Sequence, residues 1–173
     1  IFNALHGRDG EDGIAQSYFE YLKIPYTHSG VISSFNAMNK ISSKEIFIKN
    51  KIKTPKFLSV SKSEFNIRKL TKNIKNKKIT FPVVIKPVNE GSSLGVKVCK
   101  NNKILVKEIK NLFKKYYQLI LEEYVGGQEI QVAVINGNSL GAIELVPKRL
   151  FYDYKAKYTK KAKTKHVMPA RLN

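Results

Sequence analysis

The sequence predicts a mixed fold, α/β at its start and α+β beyond, and three observations carry that reading. A short apolar stretch, Ile1 to Leu5, gives way to a glycine-rich loop and then to residues at helical spacing, which is the order of one α/β unit. Two apolar triplets, Val83-Val84-Ile85 and Leu119-Ile120-Leu121, stand on either side of an amphipathic stretch, as buried strands around a helix do. Further on, Ile130–Ile135 and Leu140–Val146 flank Asn136-Gly137-Asn138, which is hairpin chemistry. The 173 residues suit one large domain or two small ones, and a hydrophobic fraction of 42% is enough for a core.

Taken in order, residues 1–5 read as part of a buried strand, and Ile1 does not have the look of a natural chain start. The polar loop His6-Gly7-Arg8-Asp9-Gly10-Glu11-Asp12-Gly13 follows. Asp12 is placed to cap a helix reaching about Leu22, whose apolar face would be Ile14, Tyr18, Tyr21 and Leu22. Ile24-Pro25-Tyr26 restarts extended structure, and Ser29-Gly30 turns the chain. Two short helices are expected over 31–38 and 40–50, the second ended by Thr54-Pro55 because a residue before proline avoids the helical region. Phe57 to Val60 is a strand candidate, and the lysine-rich 61–80 holds a helix and a solvated loop. Val83-Val84-Ile85 is followed by the loop Asn89 to Gly95 and then by Val96-Lys97-Val98. Leu105, Ile109, Leu112, Phe113 and Tyr116 place an amphipathic helix over 103–117. Residues 151–173 are polar, aromatic and basic and read as one long loop, of the kind that serves as a lid.

Charge is the strongest compositional feature, at +19 net. The lysines run along the whole chain, mixed with Asn and Ile as in Asn73-Ile74-Lys75-Asn76-Lys77-Lys78, so the bias is compositional and not periodic. No helix-turn-helix, zinc finger or RNA-binding aromatic pair accompanies it, and no nucleic-acid partner is expected. No apolar run reaches the roughly 18 residues of a membrane helix, and no leader opens the chain. Neither a membrane partner nor secretion is expected. The single cysteine, Cys99, cannot form an internal disulfide, and no metal-spaced Cys/His set exists. A reducing, cytoplasmic setting fits.

Three groups of residues carry chemistry. Lys86 stands at the end of the strand 82–85, and an ammonium at the mouth of a sheet suits a phosphate, or else snorkels with its stem packed. In Glu90-Gly91-Ser92-Ser93-Leu94-Gly95, two glycines let the backbone approach a ligand, and successive N–H groups and hydroxyls can cradle phosphate oxygens. The loop has neither P-loop nor dinucleotide spacing, and taken alone it is also an ordinary turn. Glu122 and Glu123 end a strand, where a carboxylate can accept from an adenine amino group, and Glu129 could bind ribose. The plain alternative is surface charge paired with lysines.

These motifs together resemble the D-alanine–D-alanine ligases. The resemblance rests on His6-Gly-x-x-Gly-Glu-Asp-Gly13, Ile24-Pro-Tyr-Thr-x-Ser-Gly30, Met38-Asn-Lys40, Val84-Ile-Lys-Pro87, Glu90-Gly-Ser-Ser-x-Gly95, Glu122, Glu129 and Tyr152-Asp-Tyr-Lys-Ala-Lys-Tyr158, in the family's order across nearly the whole chain. It implies an ATP-grasp fold, with nucleotide between two α+β subdomains, preceded by a Rossmann-like domain. By that likeness, residues 1–30 are the end of the N-terminal domain, 31–126 the central subdomain, and 127–173 the start of the C-terminal subdomain with its mobile loop.

The resemblance also implies roles. Lys40, Lys86 and Lys157 would contact ATP phosphates, and Ser92, with Glu90 and Ser93, would lie in the loop over them. Glu122 would meet adenine, beside Glu123 and Val125, and Glu129 would meet ribose. His6 would stand near the first D-alanine, as base or electrostatic stabiliser. Tyr158 would bond the loop serine, and a tyrosine there favours D-alanine over D-lactate as second substrate. Such a ligase makes an acyl phosphate and lets an amine attack it, so cations, positioning and closed lids matter most, the lids here being 89–95 and 151–160.

Magnesium or manganese would be held by an Asp, a Glu and an Asn that relatives carry past position 173. Without these, and without an N-terminal strand whose glutamate holds the first D-alanine, the chain alone should not ligate. Homodimers are a family expectation. Ser17 and Asn39 replace a common glycine and a common aspartate. The alternatives are another ATP-grasp carboxylate–amine ligase and a non-catalytic nucleotide-binding module.

Overall fold

The computed structural model describes residues 1–147 and 164–172. The chain divides into two compact units, Ile1–Tyr124 and Val125–Asn173.

The first unit is built on a four-stranded antiparallel sheet in the order β1-β4-β2-β3, from β1 (Phe57–Ser61), β2 (Val83–Pro87), β3 (Lys97–Cys99) and β4 (Gln118–Glu123). Side chains alternate between the faces of a strand, so register sorts each strand into a core face and a second face. On the core face Val83, Ile85, Leu119 and Leu121 are sealed from solvent. They pack with Leu70 and Ile74 of α4 (Ile67–Asn76) and with Leu105, Ile109 and Leu112 of α5 (Asn102–Leu112). Fully burying each such side chain contributes about 1.5–3 kcal/mol. The second face carries Val84, Lys86, Ile120 and Glu122, and Val84 pairs with Glu122 while Lys86 pairs with Ile120. Lys86 and Glu122 are therefore diagonal neighbours across two strands, within reach of each other's long side chains.

Ahead of the sheet run α1 (Ile14–Tyr21), α2 (Val31–Met38) and α3 (Lys40–Lys49). Asparagine starts three of the five described helices. Asn39 accepts from the N–H groups of Ile41 and Ser42, Asn66 from that of Lys69, and Asn101 from that of Ile104. Each cap stabilises its helix by about 1 kcal/mol. The asparagines that look compositional in the sequence thus do local work.

The second unit holds the antiparallel sheet β5-β6-β7, from β5 (Glu129–Ile135), β6 (Asn138–Val146) and β7 (Lys165–Val167). Asn136 and Gly137 both take positive φ, 50° and 78°. That is the primed two-residue turn whose twist matches the strands it joins.

Several expectations are corrected. Residues 1–6 form no strand; Phe2 is 81% exposed, and Asn3 is held instead through Thr27 and Gly10. The predicted apolar face of α1 is exposed at Ile14, Tyr18, Tyr21 and Leu22, and its buried side chain is Gln16. Gly13 is the N-cap, at φ 98°, where a Cβ would stand 2.8 Å from Val31 O; Asp12 accepts from the Ile14 N–H and from the Asp9 N–H. The third helix ends at Lys49, within one residue of the expected 40–50, but left-handed Lys51 follows that end and Thr54-Pro55 lies further on. The fifth ends at Leu112, and Phe113 and Tyr116 reach the core from the turn beyond it. Within 151–173, β7 is a strand and not loop. The proposed lid 151–160 lies outside the described residues.

Candidate functional site

The site grows from three segments far apart in sequence, α3, β2 and β4. Asn39 caps α3 and fixes where it begins, so Lys40 and Lys44 project from one face at successive turns. The polar face of the β2–β4 pair supplies Lys86 and Glu122. Glu122 is buried, 7% exposed, and receives a lysine on each oxygen. Lys44 Nζ lies 2.9 Å from its Oε2, and Lys86 Nζ bonds its Oε1. Lys44, also 7% exposed, donates further to Thr54 Oγ1 at 2.8 Å and to Pro55 O at 3.0 Å.

Among the described residues Lys40 has no carboxylate partner of this kind. Its ammonium donates to two carbonyls, Val88 O at 3.1 Å and Glu90 O, at the root of the glycine–serine loop. Burial and then the nearby charge of Lys86 lower its pKa to about 8, against weaker support from Glu122 and Glu90. Three ammonium groups thus crowd about one buried carboxylate, with Glu90 acting from further off. Buried cations without full compensation are costly, so this arrangement is complementary to an added anion.

The loop above is tightly folded. Ser92 and Ser93 both adopt left-handed backbone, φ 50° and 59°, which is uncommon for residues with a side chain and clusters at functional sites. Gly95, at φ 71°, closes the loop against the end of β2, where a Cβ would come within 2.8 Å of Pro87. Gly91 faces open space, so of the two glycines only Gly95 is required by packing.

Other expected residues fall elsewhere. The Glu123 carboxylate turns to the β1 side, 3.4 Å from Lys56 Nζ, while its N–H donates to Lys56 O. His6 is exposed in the loop before α1, its Nδ1 3.9 Å from Glu11 Oε1. Val125 is exposed and Glu129 opens β5, both in the second unit. Lys157 and Tyr158 lie outside the described residues. Sequence reasoning missed Lys44; its spacing of four from Lys40 was the available signal.

A cleft of about 600 Å³ borders the site, lined by Phe35, Met38, Asn39, Val88, Glu90 and Tyr116 among others. None of the clustered lysines lines it, so charge and not cavity size marks the chemistry. Among the described residues no group of three His, Cys, Asp or Glu could hold a metal. Glu122, between two ammonium groups, is a poor donor for a cation. No magnesium-dependent step follows from these residues.

Residues 46–173 match the family model described as D-ala D-ala ligase C-terminus. A D-alanine–D-alanine ligase of Pelagibacter ubique is 55% identical over 175 residues, covering 100% of this chain and 56% of that protein. The crystal structure of a D-alanine–D-alanine ligase from Bacillus anthracis complexed with ATP superposes with a TM-score of 0.78 at 29% identity, covering 99% of this chain and 52% of that one. That of VanG D-Ala:D-Ser ligase from Enterococcus faecalis gives 0.80 at 32% identity, over 100% and 50%. The chain therefore spans about half the length of the relatives it matches, and its mixed helix-and-sheet fold is that of the ATP-grasp ligases. On the family match and these identities, the chain belongs to the D-alanine–D-alanine ligase family.

Proposed function

We propose that this chain is the nucleotide-binding part of a ligase that joins two D-alanines through a D-alanyl phosphate, at the expense of ATP, for peptidoglycan precursors. The observation that carries the reading is the convergence of Lys40 and Lys86 from separate segments beside the Ser92-Ser93 loop. Phosphoryl transfer requires little covalent chemistry from a protein, and positioned cations supply most of what it needs. Lys40 and Lys86 hold the phosphates. Glu122 accepts from the adenine amino group, and Glu129 accepts from ribose hydroxyls. The Ser92 loop covers the phosphates, with Lys157 and Tyr158 joining it on closure, and His6 acts near the first D-alanine.

The domain reading goes with this: 1–30 ends an N-terminal domain, 31–126 is the central subdomain, and 127–173 begins the C-terminal one. Magnesium supplies further charge at the phosphates from donors other than those described. The enzyme works in the cytoplasm, as a homodimer.

Nucleotide binding tests the reading without requiring a complete reaction centre. Calorimetric titration of the chain with ATP and with tripolyphosphate should show binding of both that weakens with added salt. Absence of binding by either at millimolar concentration overturns it.

A further inference from the structure

The buried ion-pair chain around Glu122 contains one member with no assigned task. Lys44 saturates its three N–H donors on Glu122 Oε2, Thr54 Oγ1 and Pro55 O, and its head lies 5.2 Å from the centre of the Phe57 ring. Such an ammonium cannot turn to a ligand without leaving buried acceptors unmatched. Lys86 differs: it is more exposed, 21% against 9% for Lys44, and meets the same carboxylate through the other oxygen. The two lysines are thus unequal partners of one acid.

We propose that Lys44 is a positioning residue, the permanent counter-ion that holds Glu122 in place and ionised while Lys86 exchanges the carboxylate for a bound nucleotide's phosphate. The exchange has a simple balance. Lys86 leaves Glu122 Oε1, that oxygen then accepts from the purine's exocyclic amino group, and Lys44 remains on Oε2 so that the buried carboxylate is never without a cation. This rests on the nucleotide-binding reading above. It adds that selectivity for adenine depends on a residue that touches no ligand.

The test compares ATP, inosine triphosphate (which carries an oxo group in place of the amino group) and tripolyphosphate as calorimetric probes. The chain is used unchanged and with Lys44→Gln, Lys44→Arg and Thr54→Val, each checked by circular dichroism. The unchanged chain should prefer ATP to inosine triphosphate by about tenfold or more, since a hydrogen bond to a charged acceptor is at stake. In Lys44→Gln that preference should fall to near unity, with Lys86 retained by Glu122 and tripolyphosphate bound more weakly. The Lys44→Arg variant should recover part of the preference. Thr54→Val, which removes one acceptor and keeps the charge, should lower it by a smaller factor and covers the case in which Lys44→Gln does not fold.

A preference that persists in Lys44→Gln, or in Thr54→Val if the former is unfolded, overturns the positioning role and leaves nucleotide binding intact. Failure of the unchanged chain to bind any probe overturns both.

Discussion

Two buried carboxylates, one in each unit, show how differently the same group can be used. Glu144 on β6 is 4% exposed and fully matched. Arg171 grips it with two bonds, Nε to Oε2 at 2.8 Å and Nη2 to Oε1 at 3.1 Å, and Gln128 Nε2 adds a third at 3.1 Å. Those bonds, Arg171's first, hold its pKa below the usual carboxylate value. One negative charge meets one positive charge, and the fork geometry fixes both. Glu122 instead sits among lysines that outnumber it, and one of the neighbours, Lys40, is lowered to about 8 by its burial and then by the charge of Lys86, against the opposing pull of Glu122. A balanced pair is a structural clamp that ties residue 171 to β6; an unbalanced cluster leaves positive charge uncompensated. The number of buried carboxylates does not separate the two cases, but the surplus of cations does.

That contrast can be broken most directly by removing Glu122. Glu122→Ala leaves Lys44 and Lys86 buried without their anion, and chemical denaturation should show a loss of about 3–5 kcal/mol. A loss no larger than that of an exposed acid would mean that the cluster is not electrostatically frustrated. Next comes Lys86→Ala. Glu122 keeps Lys44, so the melting temperature should stay close to that of the unchanged chain, while ATP affinity falls about ten- to a hundredfold in calorimetry. A large melting shift with unaltered affinity would reverse the assignment of ligand-facing and structural lysines.

Lys40 provides the pH test. Its folded pKa, about 8, lies below the ordinary 10.5, so between those values the unfolded chain holds more protons. Stability should therefore rise with pH across that window, and below 8 the cost of the buried charge is fully present. Polyphosphate favours the charged form, so ATP binding near pH 8 should take up protons. Affinity should fall above pH 8 by at most about tenfold per unit. Buffers of different ionisation enthalpy read the uptake, and a flat response counts against Lys40 facing phosphate.

The smallest effect belongs to the clamp. Arg171→Leu should lower the stability of the second unit at neutral pH, seen as earlier hydrogen exchange in β6 and β7. Glu144's folded pKa is depressed from 4.5, so the clamp's stabilisation is present above that value and lost as pH falls through the folded one. The variant and the unchanged chain should converge in acid.

Much of this was legible in the residues. The triplets at 83–85 and 119–121 announced the central strands, since continuous apolar runs of that length bury on both faces. Asn136-Gly137 announced its hairpin through the φ values such a turn demands. Lys40, Lys86 and Glu122 were singled out by motif, and Lys86 does bond Glu122 while Lys40 lies near enough to feel both charges. The helix ends were read unevenly: α3 ends within a residue of the expected place, ahead of a left-handed Lys51 and not at Thr54-Pro55, while α5 stops at Leu112 and not at 117. The exposed tyrosines and Leu22 of α1 follow the pattern of a core face, and periodicity gives the direction of a face without saying what covers it.

By itself, then, the sequence determined most of the elements, the resemblance to the family and the choice of Lys40, Lys86 and Glu122, because periodicity, turn chemistry and motif spacing are local properties. Only the tertiary structure decided that Lys44 shares Glu122 with Lys86, that Lys40 is pressed toward neutrality, and that Glu123 faces away to Lys56. Those outcomes depend on strand register and on the distance between charges tens of residues apart. Coulomb interactions and desolvation act through space, and no window along the chain contains them.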